Sequence, residues 1–206
     1  MYWWLGITTM IIAALAYGYW DHTIQSRNLA EIFARLSAKY GGDVKGATVL
    51  ILPQFRFELH DRRFLVTAMP TSGQGTAGTT GYTGPFTFVI LELPFDTAQK
   101  IQIVRNAGIV DQVVATWSLK QVTVGDEDFD IAFRLRGSDS KFATILLDET
   151  VRQRLLNSHL PGLDIRVDSN KISVHMNGFA KTQFEIEELI EIAILIADRY
   201  PSGFVS

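Results

Sequence analysis

Residues 2–20 read YWWLGITTMIIAALAYGYW, and on this stretch turns whether the chain is a globular domain alone or a domain held by a membrane anchor. It carries no charge. Tyr2, Trp3 and Trp4 stand at one end and Tyr17, Tyr19 and Trp20 at the other, bracketing the apolar run Leu5–Ala16 as rings at headgroup level would. At about 1.5 Å per residue the stretch reaches roughly 28 Å, near the hydrocarbon thickness of a bilayer. The pattern predicts an N-terminal transmembrane helix. Ala14 and Gly18, four apart and small, form its candidate helix-packing face. Two other readings compete. Ala14-Leu15-Ala16 looks like a signal-peptide cleavage site, but no positive segment precedes the apolar core. A buried core helix needs no aromatic ends.

Working outward, Arg27, Arg35 and Lys39 follow the stretch, and positive flanks stay on the cytoplasmic side. The expectation is a single-pass protein of the bacterial inner membrane with its domain inside. The chain then divides into an anchor (1–21), a juxtamembrane amphipathic helix and linker (22–45) and an α+β globular domain (46–206). The fold class expected is α+β, one transmembrane helix followed by a mainly antiparallel sheet with helices.

Net charge is −3 over 206 residues, with no block of one sign. Nothing marks a nucleic-acid footprint. The absence of cysteine removes disulfides, thiolate nucleophiles and Cys-based metal centres.

Leu29, Ile32, Phe33, Leu36 and Tyr40 recur three and four apart and predict a helix stopped at Gly41-Gly42. Ala47–Leu52, the alternating Phe55/Phe57/Leu59, Phe64/Val66/Ala68 and Phe86–Leu93 predict strands, the second and third joined by a turn at 60–63 and the last closed by Pro94. Residues 101–105 and 113–124 can each supply another. Phe129–Arg136 alternates most cleanly and predicts a half-buried strand. Two short helices follow, with Asp148 as N-cap between them. Leu163–Val167 and Ile172–Met176 predict a hairpin across Asp168–Lys171. Thr182-x-x-Glu185 is a capping box opening a core helix over 184–200, which Pro201 ends.

The Gly125-Asp126-x-x-Phe129-Asp130-x-x-Phe133 pattern, with Leu146-Leu147 and Arg154-Leu155-Leu156 after it, resembles a loosely defined group of uncharacterised bacterial membrane-anchored proteins. The resemblance covers about residues 122–200. It implies a strand, a helical stretch, a hairpin and a terminal helix, and carries no activity with it.

No constellation of catalytic type is legible. Gly73-Gln74-Gly75-Thr76-Ala77-Gly78 spells G-x-G-x-x-G, but Gly81, Tyr82 and Gly84-Pro85 follow where the phosphate-binding fingerprint needs a helix. Gly73, Gly75, Gly78, Gly81, Tyr82 and Gly84 are therefore a candidate partner-contact loop. Asp126, Asp128 and Asp130 start an EF-hand spacing that lacks its glycine and its glutamate. His22, His60, His159 and His175 have no metal-ligand spacing. No catalytic residue, metal or cofactor is expected. The leading expectation is a non-enzymatic accessory or scaffolding subunit of an integral-membrane complex, of respiratory or photosynthetic type, with membrane subunits and the bilayer as partners. The alternatives are a membrane-tethered ligand- or lipid-binding domain with the glycine-rich loop as a lid over an apolar pocket, and an unrecognised enzyme.

Overall fold

The computed structural model describes residues 3–46, 52–69, 85–106 and 119–200; within these, the side chains of residues 97 and 98 and most of those up to residue 22 are outside the description. Helix α1 (Trp3–Tyr40) is one continuous 38-residue helix. Its second half turns Leu29, Phe33 and Leu36 onto the domain, all with no exposed surface. It stops because Gly41 and Gly42 take φ of +74° and +95°, the left-handed region where a Cβ is penalised.

This helix overturns the anchor. Among the described residues no helix is long and apolar enough to cross a membrane. The uninterrupted apolar run Leu5–Ala16 is only 12 residues, including Gly6, Thr8 and Thr9. At about 1.5 Å per residue it spans roughly 18 Å, well short of the hydrocarbon layer. The helix then passes straight through Asp21 and His22 instead of ending at the aromatic girdle. The transmembrane helix, the single-pass description and the inner-membrane location with a cytoplasmic domain all fall with it. Trp3, Trp4, Ala14, Tyr17, Gly18, Tyr19 and Trp20 lie on α1 with side chains outside the description, and Tyr2 is outside the described residues altogether.

The rest is α+β, and every pairing among the described strands is antiparallel. β1 (Asp43–Lys45), β2 (Gln54–Leu59) and β3 (Arg62–Met69) form a meander. His60 and Asp61, with φ of 52° and 61°, make the tight β2–β3 turn, whose twist matches the strands. β4 (Phe86–Arg105) is the spine. β3 pairs with its first half and β6 (Phe133–Gly137) with its last residues on one edge, while β7 (Asp164–Asn177) runs along the other from end to end. β5 (Lys120–Val122) extends the sheet beyond β6. α2 (Glu127–Ala132), α3 (Ser140–Leu146) and α4 (Glu149–Leu156) lie between β5 and β7 in the chain, and α5 (Gln183–Asp198) closes the domain. The core face is covered by α5, through Ile186, Leu189, Ile192, Ala193 and Ile196, and by α1.

Three strand expectations are corrected. Pro94 does not close β4, because the ladder with β7 shifts register between Glu92 and Thr97 and asks no N–H of position 94. Asp164–Asn177 is one strand, not a hairpin; Ser169, at φ 53°, is absorbed as a bulge where the register shifts. Phe129–Arg136 is half helix. The Asp126 carboxylate accepts from the Phe129 N–H and starts α2, so Phe129 and Phe133 share a face at helical spacing and stack at 4.8 Å, and the strand begins only at Phe133. Ala47–Ile51, the 113–118 portion of the expected strand and Pro201 lie outside the described residues.

Candidate functional site

Strands β2, β3, β4 and β7 bury one face under helices, and the other is not covered by any described helix. Because directly opposite residues share a face, the register maps that open face in rows. Across its middle run Asp43, Arg56, Leu65, Ile90 and Ser173. Toward one end come Thr67, Phe88 and His175, then Met69, Phe86 and Asn177. Toward the other, Glu58 faces Arg63 and Glu92 faces Lys171, with Arg63 and Glu92 one step past the Phe64–Leu91 pair. The face thus grades from apolar to charged along the strands.

Two adjoining cavities follow this gradient. The first, about 420 Å³, has Met69, Phe88, Ile90 and His175 among its lining residues, with Arg166 and Lys171 on its β7 side. Arg166 and His175 line the same cavity although they stand nine residues apart on β7, with Ser169 and the register shift between them. The second, about 590 Å³, includes Arg56, Glu58, Arg63, Glu92 and Lys171 and shares Ile90 and Lys171 with the first. Small-molecule sites span roughly 300–1,000 Å³, apolar with a few placed polar groups.

The electrostatics at the apolar end are tightly arranged. Burial pushes the His175 imidazole down to about 4, against the nearby Asp164, which raises it, and with Arg166, which lowers it. The ring packs at 5.5 Å from Phe88. Asp164, itself buried, accepts from Arg166 Nη2 at 2.9 Å and from Gln102 Nε2 at 3.4 Å, so its charge is held. Lys100 pairs with Asp168 at 2.8 Å on the rim. His175 is therefore a neutral wall of the cavity at physiological pH.

Asp126 and Asp130, whose spacing falls short of a calcium loop, have structural roles. Asp126 caps α2 by accepting from the Phe129 N–H, which with the Arg152 guanidinium at 2.8 Å holds its carboxyl below the usual carboxylate range. Asp130 accepts the N–H groups of Val124 and Gly125. These carboxylates are occupied structurally, and among the described residues no group of acids and histidines is arranged for a metal. Gly73, Gly75, Gly78, Gly81, Tyr82 and Gly84 lie outside the described residues. The residues that bound that loop on either side, Met69 and Phe86, are paired with each other and line the apolar cavity.

Sequence reasoning missed Phe88, Ile90, Lys171 and His175. The signal was present in Phe86-Thr87-Phe88-Val89-Ile90-Leu91: it is apolar on both faces of the strand, and helices cover only one.

No protein-family model and no curated protein matches the chain. Among solved structures, it is similar to the crystal structure of the mycobacterial trehalose monomycolate transport factor A, TtfA. The TM-score is 0.60 at 9% identity, over 85% of this chain and 93% of that one. At that identity the likeness is one of fold.

Proposed function

We propose that this protein is a non-enzymatic accessory domain that binds an amphiphilic, lipid-like ligand on the open face of its sheet. The observation that carries the reading is the cavity of about 420 Å³ floored by Phe88, Ile90 and Met69 and bordered by charged side chains. An apolar floor takes up a hydrocarbon chain without directional bonds, while a charged border orients the polar end. The fold likeness to a protein described as a trehalose monomycolate transport factor supports the same direction. A binding role also fits a site in which Asp164 is held by Arg166 and Gln102 and Asp168 by Lys100, and in which, among the described residues, none is paired as nucleophile and base.

The test is titration of the chain with Nile red, an uncharged dye that brightens in apolar surroundings. Saturable binding with about one dye per chain is expected. Ile90→Glu places a carboxylate in the floor without touching the helical core and is expected to weaken binding roughly tenfold or more. Equal titrations of wild type and Ile90→Glu, with both folded, would remove the open face as the site.

A further inference from the structure

Resting on that reading, we infer that the polar end of the ligand is an uncharged polyhydroxyl headgroup of sugar type, bound across the row Glu58–Arg63–Glu92–Lys171. The row crosses four neighbouring strands, and its charges alternate in sign. Asp43 opposite Arg56 repeats the alternation one row nearer the apolar floor. Strands lie about 4.8 Å apart, so every cation in the row has a carboxylate one strand away on at least one side. A phosphate or carboxylate headgroup bound to Arg63 would stand between Glu58 and Glu92, and a quaternary ammonium bound to Glu92 between Arg63 and Lys171. Each meets like charge at close range.

Hydroxyl groups do not. A sugar hydroxyl donates to a carboxylate and accepts from a guanidinium or ammonium, so a ring laid on the row uses both signs at once and leaves the local charge balance unchanged. The groups are also available: among the described residues no side-chain hydrogen bond or ion pair engages Glu58, Arg63, Glu92 or Lys171. The two cavities meet at Ile90 and Lys171, so a headgroup on the row is continuous with a chain lying over Ile90 and Phe88.

The experiment compares four twelve-carbon amphiphiles below their micellar concentrations by calorimetry on the full chain: dodecyl maltoside, dodecyl phosphate, dodecylphosphocholine and dodecyltrimethylammonium. The maltoside is expected to bind about tenfold more tightly than any other, the worth of one hydrogen bond to a charged group. Arg63→Ala with Glu92→Ala, at exposed positions and neutral in net charge, is expected to bring the maltoside down to the level of the rest. Phosphate, phosphocholine or ammonium binding as tightly as the maltoside overturns the headgroup inference and leaves the apolar groove standing. If none of the four binds, the groove reading itself is lost. A maltoside preference that survives the double variant moves the headgroup off this row.

Discussion

Arg154 of α4 and Glu188 of α5 meet at 3.0 Å, and the Glu188 side chain keeps only 6% of its surface accessible. The same guanidinium reaches the exposed Glu191 at 3.1 Å. One arginine therefore clamps the helix that covers the core face onto the helical segment between β6 and β7. Removing it strands a desolvated carboxylate. Arg154→Ala is expected to lower unfolding free energy by about 2–3 kcal/mol in urea denaturation, whereas Arg154→Leu with Glu188→Leu recovers most of the loss. Equal losses in the single and double variants would show that the pair, not the orphaned charge, carries the stability.

At the end of α1, Gly41 and Gly42 share a left-handed conformation but differ in surroundings. A Cβ on Gly41 meets nothing within 4 Å, while one on Gly42 falls on the Arg56 carbonyl oxygen. Gly41→Ala is expected to cost about 1 kcal/mol. Gly42→Ala should cost at least about 3, since β2 must move away. Thermal melts of the two variants give the comparison directly, and similar midpoints would place β2 farther from the helix end.

Phe57 is the middle of a stack, 4.8 Å from Phe55, 4.7 Å from Phe64 and 5.3 Å from Tyr40. It joins α1 to the β2–β3 hairpin. Phe57→Ala is expected to destabilise by about 3–5 kcal/mol and Phe57→Leu by much less, as measured by urea midpoints.

His175 supplies a pH dependence whose sign follows from its depressed folded value of about 4. Below pH 6.5 the unfolded chain takes up a proton that the folded imidazole refuses. Stability is therefore full above about 6.5, falls as pH drops toward 4, and stops falling from this source below that. The loss across the window is on the order of 2–3 kcal/mol after allowance for residual exposure. His175→Gln should flatten this part of the profile relative to wild type. Asp164 and Arg166 remain in both proteins, so the difference between the two curves isolates the imidazole.

Much of the local structure was legible from residue pattern. Thr182 and Glu185 cap each other as their spacing requires, Asp148 caps α4, and Gly41-Gly42 end α1. These are short-range effects, settled within four residues. The expectations that failed depended on distant partners or on competition between local signals. Alternation from Phe129 to Leu135 fits a strand, but it also places Phe129 and Phe133 at helical spacing, and the Asp126 cap decides for helix. The Asp168–Lys171 segment has turn composition, yet β4 offers one continuous edge on which both flanks pair. The anchor failed on apolarity, because aromatic, glycine and threonine residues dilute the aliphatic run of a 38-residue helix without adding a charge. Of the candidate site, the two-faced apolar strand at 86–91 was visible in the sequence. The charged row was not, since it exists only through the register of four strands.

That register has a consequence for how the protein is made. As the chain leaves the ribosome, Phe86–Leu91 can pair with β3 at once, but the other edge of β4 stays open until residues 171–177 arrive. Closing that ladder joins positions as far apart as 86 and 177, so topology makes it a slow, late step. In the interval a strand apolar on both faces presents an unpaired edge, the situation in which nascent chains stick to one another or occupy chaperones. No cut within β4 leaves two self-sufficient halves. Expression of fragments ending before Asp164 is therefore expected to yield insoluble material, and co-expression with a separate 160–206 segment to rescue it only if β7 reaches that edge before another chain does.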